Sequence, residues 1–141
     1  VLKAAGLPTV TPVKYPTLFP MLDGKRFDYF PRAIHEPWAE LDTRKTLNLE
    51  VEKRILLVYP FAMYFFVAKD QPQLGEAIRS GLEAAIKDGS YDKLFYNNPL
   101  VANALSNANL KNRLVLRIPN PFMSAQTPLN RPELWLDPSK Y

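Results

Sequence analysis

Proline occupies fourteen of the 141 positions, and nothing else in the chain limits its folding as much. Each proline fixes φ at about −65° and removes a backbone donor, so helix interiors and central strands cannot run through one. The chain therefore reads as short segments that begin or end at prolines. The clearest helix starts at such a point, with Asp70 as cap and Pro72 in its first turn. Leu74, Ala77, Ile78, Gly81, Leu82, Ala85 and Ile86 then trace an apolar stripe that ends at Asp88 and Gly89. Glu76 with Arg79, Arg79 with Glu83, and Glu83 with Lys87 fall at three- and four-residue intervals on the other face.

The same punctuation organises the rest. VLKAAG reads as the last turn of a helix closed by Gly6, which puts the N-terminus inside an element. Residues 10–13 suit a strand that Pro8 and Pro12 confine to an edge. Pro16 opens a helix with Leu18, Phe19 and Leu22 on one face, shortened by Pro20 and closed by Gly24. RFDYF, residues 26–30, alternates as a strand that Pro31 ends, and residues 35–41 form a short helix with Pro37 at its first position. Residues 42–54 alternate like a half-exposed strand or extended linker. Two apolar runs, 55–58 and 63–69, split by Tyr59 and Pro60, read as strands covered on both faces. Ser90 caps a second helix, Asn98 and Pro99 open a third through Leu105, and 114–118 is a final strand. The tail from Pro119 holds five prolines and reads as an extended strap pinned by Phe122, Leu129, Trp135 and Leu136.

Composition bounds the function. The length suits one domain, or a piece of a larger one. No run of eighteen apolar residues exists, so no membrane insertion is expected. Net charge is +4 with basic residues scattered among acidic ones, so no nucleic acid is expected either. With no cysteine and one histidine, thiolate catalysis and metal binding lack ligands, and no phosphate-cradling glycine loop is present, so no cofactor is expected. An acid–base pair of His35 with Glu36 or Glu40 is the only catalytic arrangement available, and the chain is expected not to be an enzyme.

What remains is the aromatic stretch GKRFDYFPRAIHEPWAEL. An aromatic strand ending at a proline turn would present Arg32, His35 and Glu36 where ligands of open α/β sheets sit. Arg32 there offers a forked donor to a carboxylate or phosphate, and Tyr29, Phe30 and Trp38 offer flat apolar walls. Equally, the aromatics can be core and Arg32 can pair with a surface Glu.

Two stretches, LFPMLDGKRFDYFPRAI and YFFVAKDQPQLGEAIRSGLEAAIKDGSYDKLF, resemble the type II periplasmic substrate-binding proteins of the amino-acid transporter class (bacterial extracellular solute-binding protein family 3). The first resembles that family's helix, glycine, aspartate-led strand (here Asp28) and ligand-facing loop. The second resembles its crossing strand, lysine–aspartate turn, long helix and Asp-Gly-Ser close, here Asp88, Gly89 and Ser90. The likeness runs from about residue 7 to 96, and the tail from Asn97 resembles a divergent branch through its NP and ELW elements.

The resemblance implies a three-layer α/β/α, periplasmic-binding-protein-like type II fold, incomplete because the N-terminal half is absent. Residues 1–57 would belong to lobe two; residues 58–141 would hold the hinge-crossing strand, the C-terminal part of lobe one and the tail. It implies a periplasmic solute-binding protein or sensory domain taking a small polar or anionic molecule, served by a membrane transporter or receptor. Arg32, Tyr29, Phe30, His35, Glu36 and Tyr64 are the expected ligand-binding residues. Where family members commonly place an acidic residue for the ligand ammonium, this loop reads Pro31, Arg32, Ala33, which points to an anionic group. The alternative is a protein-interaction or structural module that kept the fold without small-molecule binding. A sheet lacking its first strands leaves unpaired edges, so these residues alone are expected to dimerise, swap elements or keep the missing half bound.

Overall fold

The computed structural model describes residues 1–11 and 14–141. Its regular elements are the helices α1 (Leu18–Asp23), α2 (Pro37–Asp42), α3 (Pro72–Lys87), α4 (Ser90–Asn97) and α5 (Pro99–Ala108), and the strands β1 (Ile55–Val58) and β2 (Leu114–Arg117). The chain is mixed α/β. Single 3₁₀ turns stand at Lys3–Ala5, Tyr15–Thr17, Leu110–Asn112, Pro132–Leu134 and Pro138–Lys140.

Proline sets the helix starts, since its missing N–H costs nothing in the first turn. Pro37, Pro72 and Pro99 each stand at the beginning of their helix. The stops also follow local chemistry: Gly89 at φ 77° turns the chain between α3 and α4, in the left-handed region that glycine enters without penalty. At α5 the Asn98 side chain accepts the free N–H of Leu100 at 2.9 Å. Asp70, expected to cap α3, does not: the residue before Pro72 is Gln71, and no side chain caps this end. Pro20 lies inside α1, which is only six residues long.

β1 and β2 pair in parallel with Ile55 opposite Leu114 and Val58 opposite Arg117, so the three helices α3, α4 and α5 form the crossover. Arg113 secures the entry to β2. Its guanidinium donates to the carbonyls of Ala108 at 2.6 Å, Glu52 at 2.6 Å and Ile55 at 3.0 Å, tying the end of α5 to the start of β1.

Two expected strands are absent, at 26–30 and 63–69. Residues 26–30 form none: Phe30 turns its ring edge onto Phe19, 5.4 Å between centroids, and no neighbouring strand lies alongside among the described residues. Residues 42–54, read as a half-exposed strand or an extended linker, form no strand: Asp42 ends α2, turns follow it to Leu47, and beyond them Leu47, Leu49 and Val51 are half-buried and Asn48, Glu50 and Glu52 exposed. The alternation survives there without a ladder, because burial on one side needs no hydrogen-bonded partner. Residues 63–69 form no strand and are exposed where cover on both faces was expected. The strand expected at 10–13 falls partly on Pro12 and Val13, which lie outside the described residues.

Full burial is sparse. Phe19 is buried near the N-terminal end, and Ala104, Ala108, Leu110, Thr127 and Pro138 are buried at the C-terminal end. The tail folds back over α4 and α5: the turn at Pro138–Lys140 packs against Leu110–Asn112, and Tyr141 stacks on Tyr96 at 5.8 Å. Trp135 and Leu136 are half-buried in it, whereas Phe122 and Leu129, expected to pin it, are exposed. The accessible surface totals 11146 Å², whereas a compact monomer of 16.1 kDa would expose about 7,400 Å².

Candidate functional site

The N-terminal candidate is built from α1, α2 and the turn between them. Pro37 opens α2, which carries Glu40; Glu36 is its N-cap residue, and Arg32 and Arg44 flank the helix in the sequence. The Nε of Arg32 donates to both Glu40 oxygens at 2.9 and 3.0 Å, and its Nη2 donates to Glu36 at 2.8 Å, to Tyr15 Oη at 3.2 Å and to Glu40. Tyr15 donates its hydroxyl to Glu40. The guanidinium carbon lies 5.0 Å from the Phe30 ring centre and 5.1 Å from that of Tyr15, and Arg44 covers Phe19 at 3.8 Å.

The electrostatics follow from this geometry. Burial works to raise the Glu40 carboxyl, but the hydrogen bonds from Arg32 and Tyr15 outweigh it and hold the group below its ordinary value. The hydrogen bond with Glu40 likewise raises Arg32 and Tyr15 above theirs. Arg32 is thus matched by two carboxylates and backed by two rings. A ligand anion here would have to displace Glu36 and Glu40, so the cluster serves as a clamp between the Pro31 turn and α2 rather than as an open cation. The strand end on which it was expected to stand does not exist, since the sheet is formed by β1 and β2.

Of the residues expected to bind ligand, Arg32, Phe30 and Glu36 come together. Glu36 also accepts the Ala33 N–H at 2.7 Å, closing its own turn. Tyr29 is exposed and donates its hydroxyl to the Pro8 carbonyl at 3.3 Å, and His35 is exposed. Tyr64 stands elsewhere. The positions of Glu36 and Glu40, four and eight residues after Arg32, are the signal that could have pointed to the clamp; Tyr15, from another element, leaves no such signal.

Tyr64 belongs to a second candidate. With Phe61, Asn120, Phe122, Met123 and Thr127 it lines a half-open hollow of about 410 Å³. Its hydroxyl is 2.8 Å from Thr127 Oγ1, and Asn120 Nδ2 donates to the Pro60 carbonyl at 2.8 Å, which fixes the tail against the segment after β1. Among the described residues no three acidic, histidine or cysteine side chains gather to hold a metal ion, and no helix is long and apolar enough to cross a membrane.

Compared with known proteins, the chain matches no family model, no curated sequence and no solved structure.

Proposed function

We propose that this chain is a protein-interaction module, one part of a larger α/β assembly whose sheet is completed and covered by further polypeptide. One observation carries this reading. β1 and β2 are parallel, yet none of their residues is buried, whereas parallel sheets occur almost only with both faces covered. The amphipathic α3 likewise has no fully buried residue. The finer architecture that suits this reading is the three-layer, type II periplasmic-binding-protein-like fold, in which further polypeptide would supply the cover. Residues 1–57 would then lie in lobe two and residues 58–141 around the hinge and lobe one.

The test is physical. Purified chain should bind a hydrophobic dye such as ANS at neutral pH, with a hydrodynamic radius above that of a compact 16.1 kDa monomer. A compact, dye-silent monomer would sink the reading.

Small-solute binding is the second reading, favoured by the hollow around Tyr64, whose volume lies in the range of small-ligand sites. Its aromatic and Met123 walls carry hydroxyl and amide groups at Tyr64, Thr127 and Asn120. On this reading the protein is periplasmic and serves a transporter or receptor. Thermal-shift screening of amino acids and small carboxylates decides it. A hit that Tyr64→Ala abolishes supports this site; a hit that only Arg32→Ala abolishes returns binding to the clamp.

A further inference from the structure

This inference rests on the interaction-module reading and names the partner. Residues 61–67, FAMYFFV, follow Tyr59 and Pro60, with Met63 92% exposed, Phe66 90%, Phe65 72% and Phe61 70%. Among the described residues, no backbone N–H or C=O of this segment makes a backbone hydrogen bond. Two side chains hold it from behind: Tyr64 through Thr127, and Val67, whose Cγ2 lies against the backbone of α3 at Gly75. The segment is therefore a largely exposed, apolar stretch rich in β-forming side chains, whose backbone donors and acceptors have no backbone partner among the described residues.

We propose that residues 61–67 pair antiparallel with the same residues of a second copy of this chain, forming a two-fold dimer. Four features favour a second copy. The segment carries no charge, so its juxtaposition with itself meets no like-charge repulsion. Antiparallel pairing about a two-fold axis satisfies one edge of both strands with one operation and closes the assembly. The surface beyond that of a compact monomer, about 3,700 Å² per chain, exceeds the share that each copy contributes to an obligate dimer, roughly 1,000–2,500 Å². A lipid surface would accept the aromatic rings but leave the same backbone groups without partners.

The ends of the segment fix the register. Pro60 lacks an N–H and its carbonyl is taken by Asn120, while Lys69 and Asp70 introduce charge after Ala68. Pairing confined to 61–67 places the two-fold axis at Tyr64, where the two copies of one residue face each other at roughly 4.5–5.5 Å between Cα atoms, within disulfide reach.

Sedimentation of the wild-type chain over a concentration series should show a dimer. Phe66→Lys, which places a charge in the pairing of both copies, should weaken it at least about 30-fold with an unchanged far-UV spectrum. Because the chain has no cysteine, Tyr64→Cys should cross-link on mild oxidation and Ser106→Cys, on α5, should not. A wild-type monomer that still binds hydrophobic dye overturns the dimer and leaves the module reading intact; a compact, dye-silent monomer overturns both. A dimer indifferent to Phe66→Lys and not cross-linked at position 64 overturns the site. Monomeric chain that co-sediments with phosphatidylcholine vesicles overturns it in favour of a lipid surface.

Discussion

Glu40 accepts bonds from Arg32 and Tyr15, and its backbone carbonyl accepts one at 2.8 Å from Arg44. Its folded-state carboxyl sits below the ordinary 4.5, so the ionised form is the one that folding favours. The stability from this cluster is complete above that ordinary value and is lost as pH falls through the lower folded one. Glu40→Gln should cost on the order of 1–3 kcal/mol near neutral pH, since it leaves a partly buried guanidinium short of a carboxylate. Urea unfolding at pH 7 and pH 3 checks both statements: the gap between variant and wild type should shrink at the lower pH. Arg113 makes a sharper case, with a side chain only 9% exposed holding the carbonyls of Ala108 in α5, Ile55 in β1 and Glu52 just before β1. Arg113→Met should cost about 3 kcal/mol, and an unchanged urea midpoint would remove its role as the joint between α5 and the sheet.

At the scale of elements, α3 contains a glycine that does nothing for it. A Cβ at Gly81 would meet no atom within 4 Å, so Gly81→Ala should stabilise by up to about 1 kcal/mol through helix propensity. Gly89 is the opposite case: at φ 77° an alanine is strained, and Gly89→Ala should destabilise by about 1–2 kcal/mol. Thermal melts of the two single variants should move in opposite directions. The expected pairing of Glu83 with Arg79 or Lys87 along α3 is replaced by a longer reach. Glu83 receives a two-pronged contact from Arg131 of the tail, at 2.6 and 2.9 Å, while Arg79 turns to Glu76. Glu83→Gln should therefore speed hydrogen exchange at Leu134, whose N–H bonds to the Arg131 carbonyl. The factor is roughly 2–5, and it should fade at high salt because the pair is exposed.

For the whole molecule, the excess surface has a direct thermodynamic consequence. Unfolding a monomer of this chain exposes about three quarters of the area that a compact chain of its mass would expose, and the urea m-value should be reduced in proportion. A full-sized m-value for the monomer would mean that its apolar faces are already covered. The residues themselves declared the elements that local chemistry builds: α3 from its stripe and its proline start, α5 from the Asn98 cap, the turn at Gly89, and β1 and β2 from their apolar runs. Where a strand needed a partner, as at 26–30 and 63–69, alternation could not say whether one would be there, because a ladder depends on two segments and a pattern describes only one. The same limit applies to Arg32. Its chemistry allowed a ligand carboxylate or one from the chain, and only the folding of α2 beside Tyr15 brought Glu36 and Glu40 close enough to occupy it, since proximity between distant residues is a property of packing.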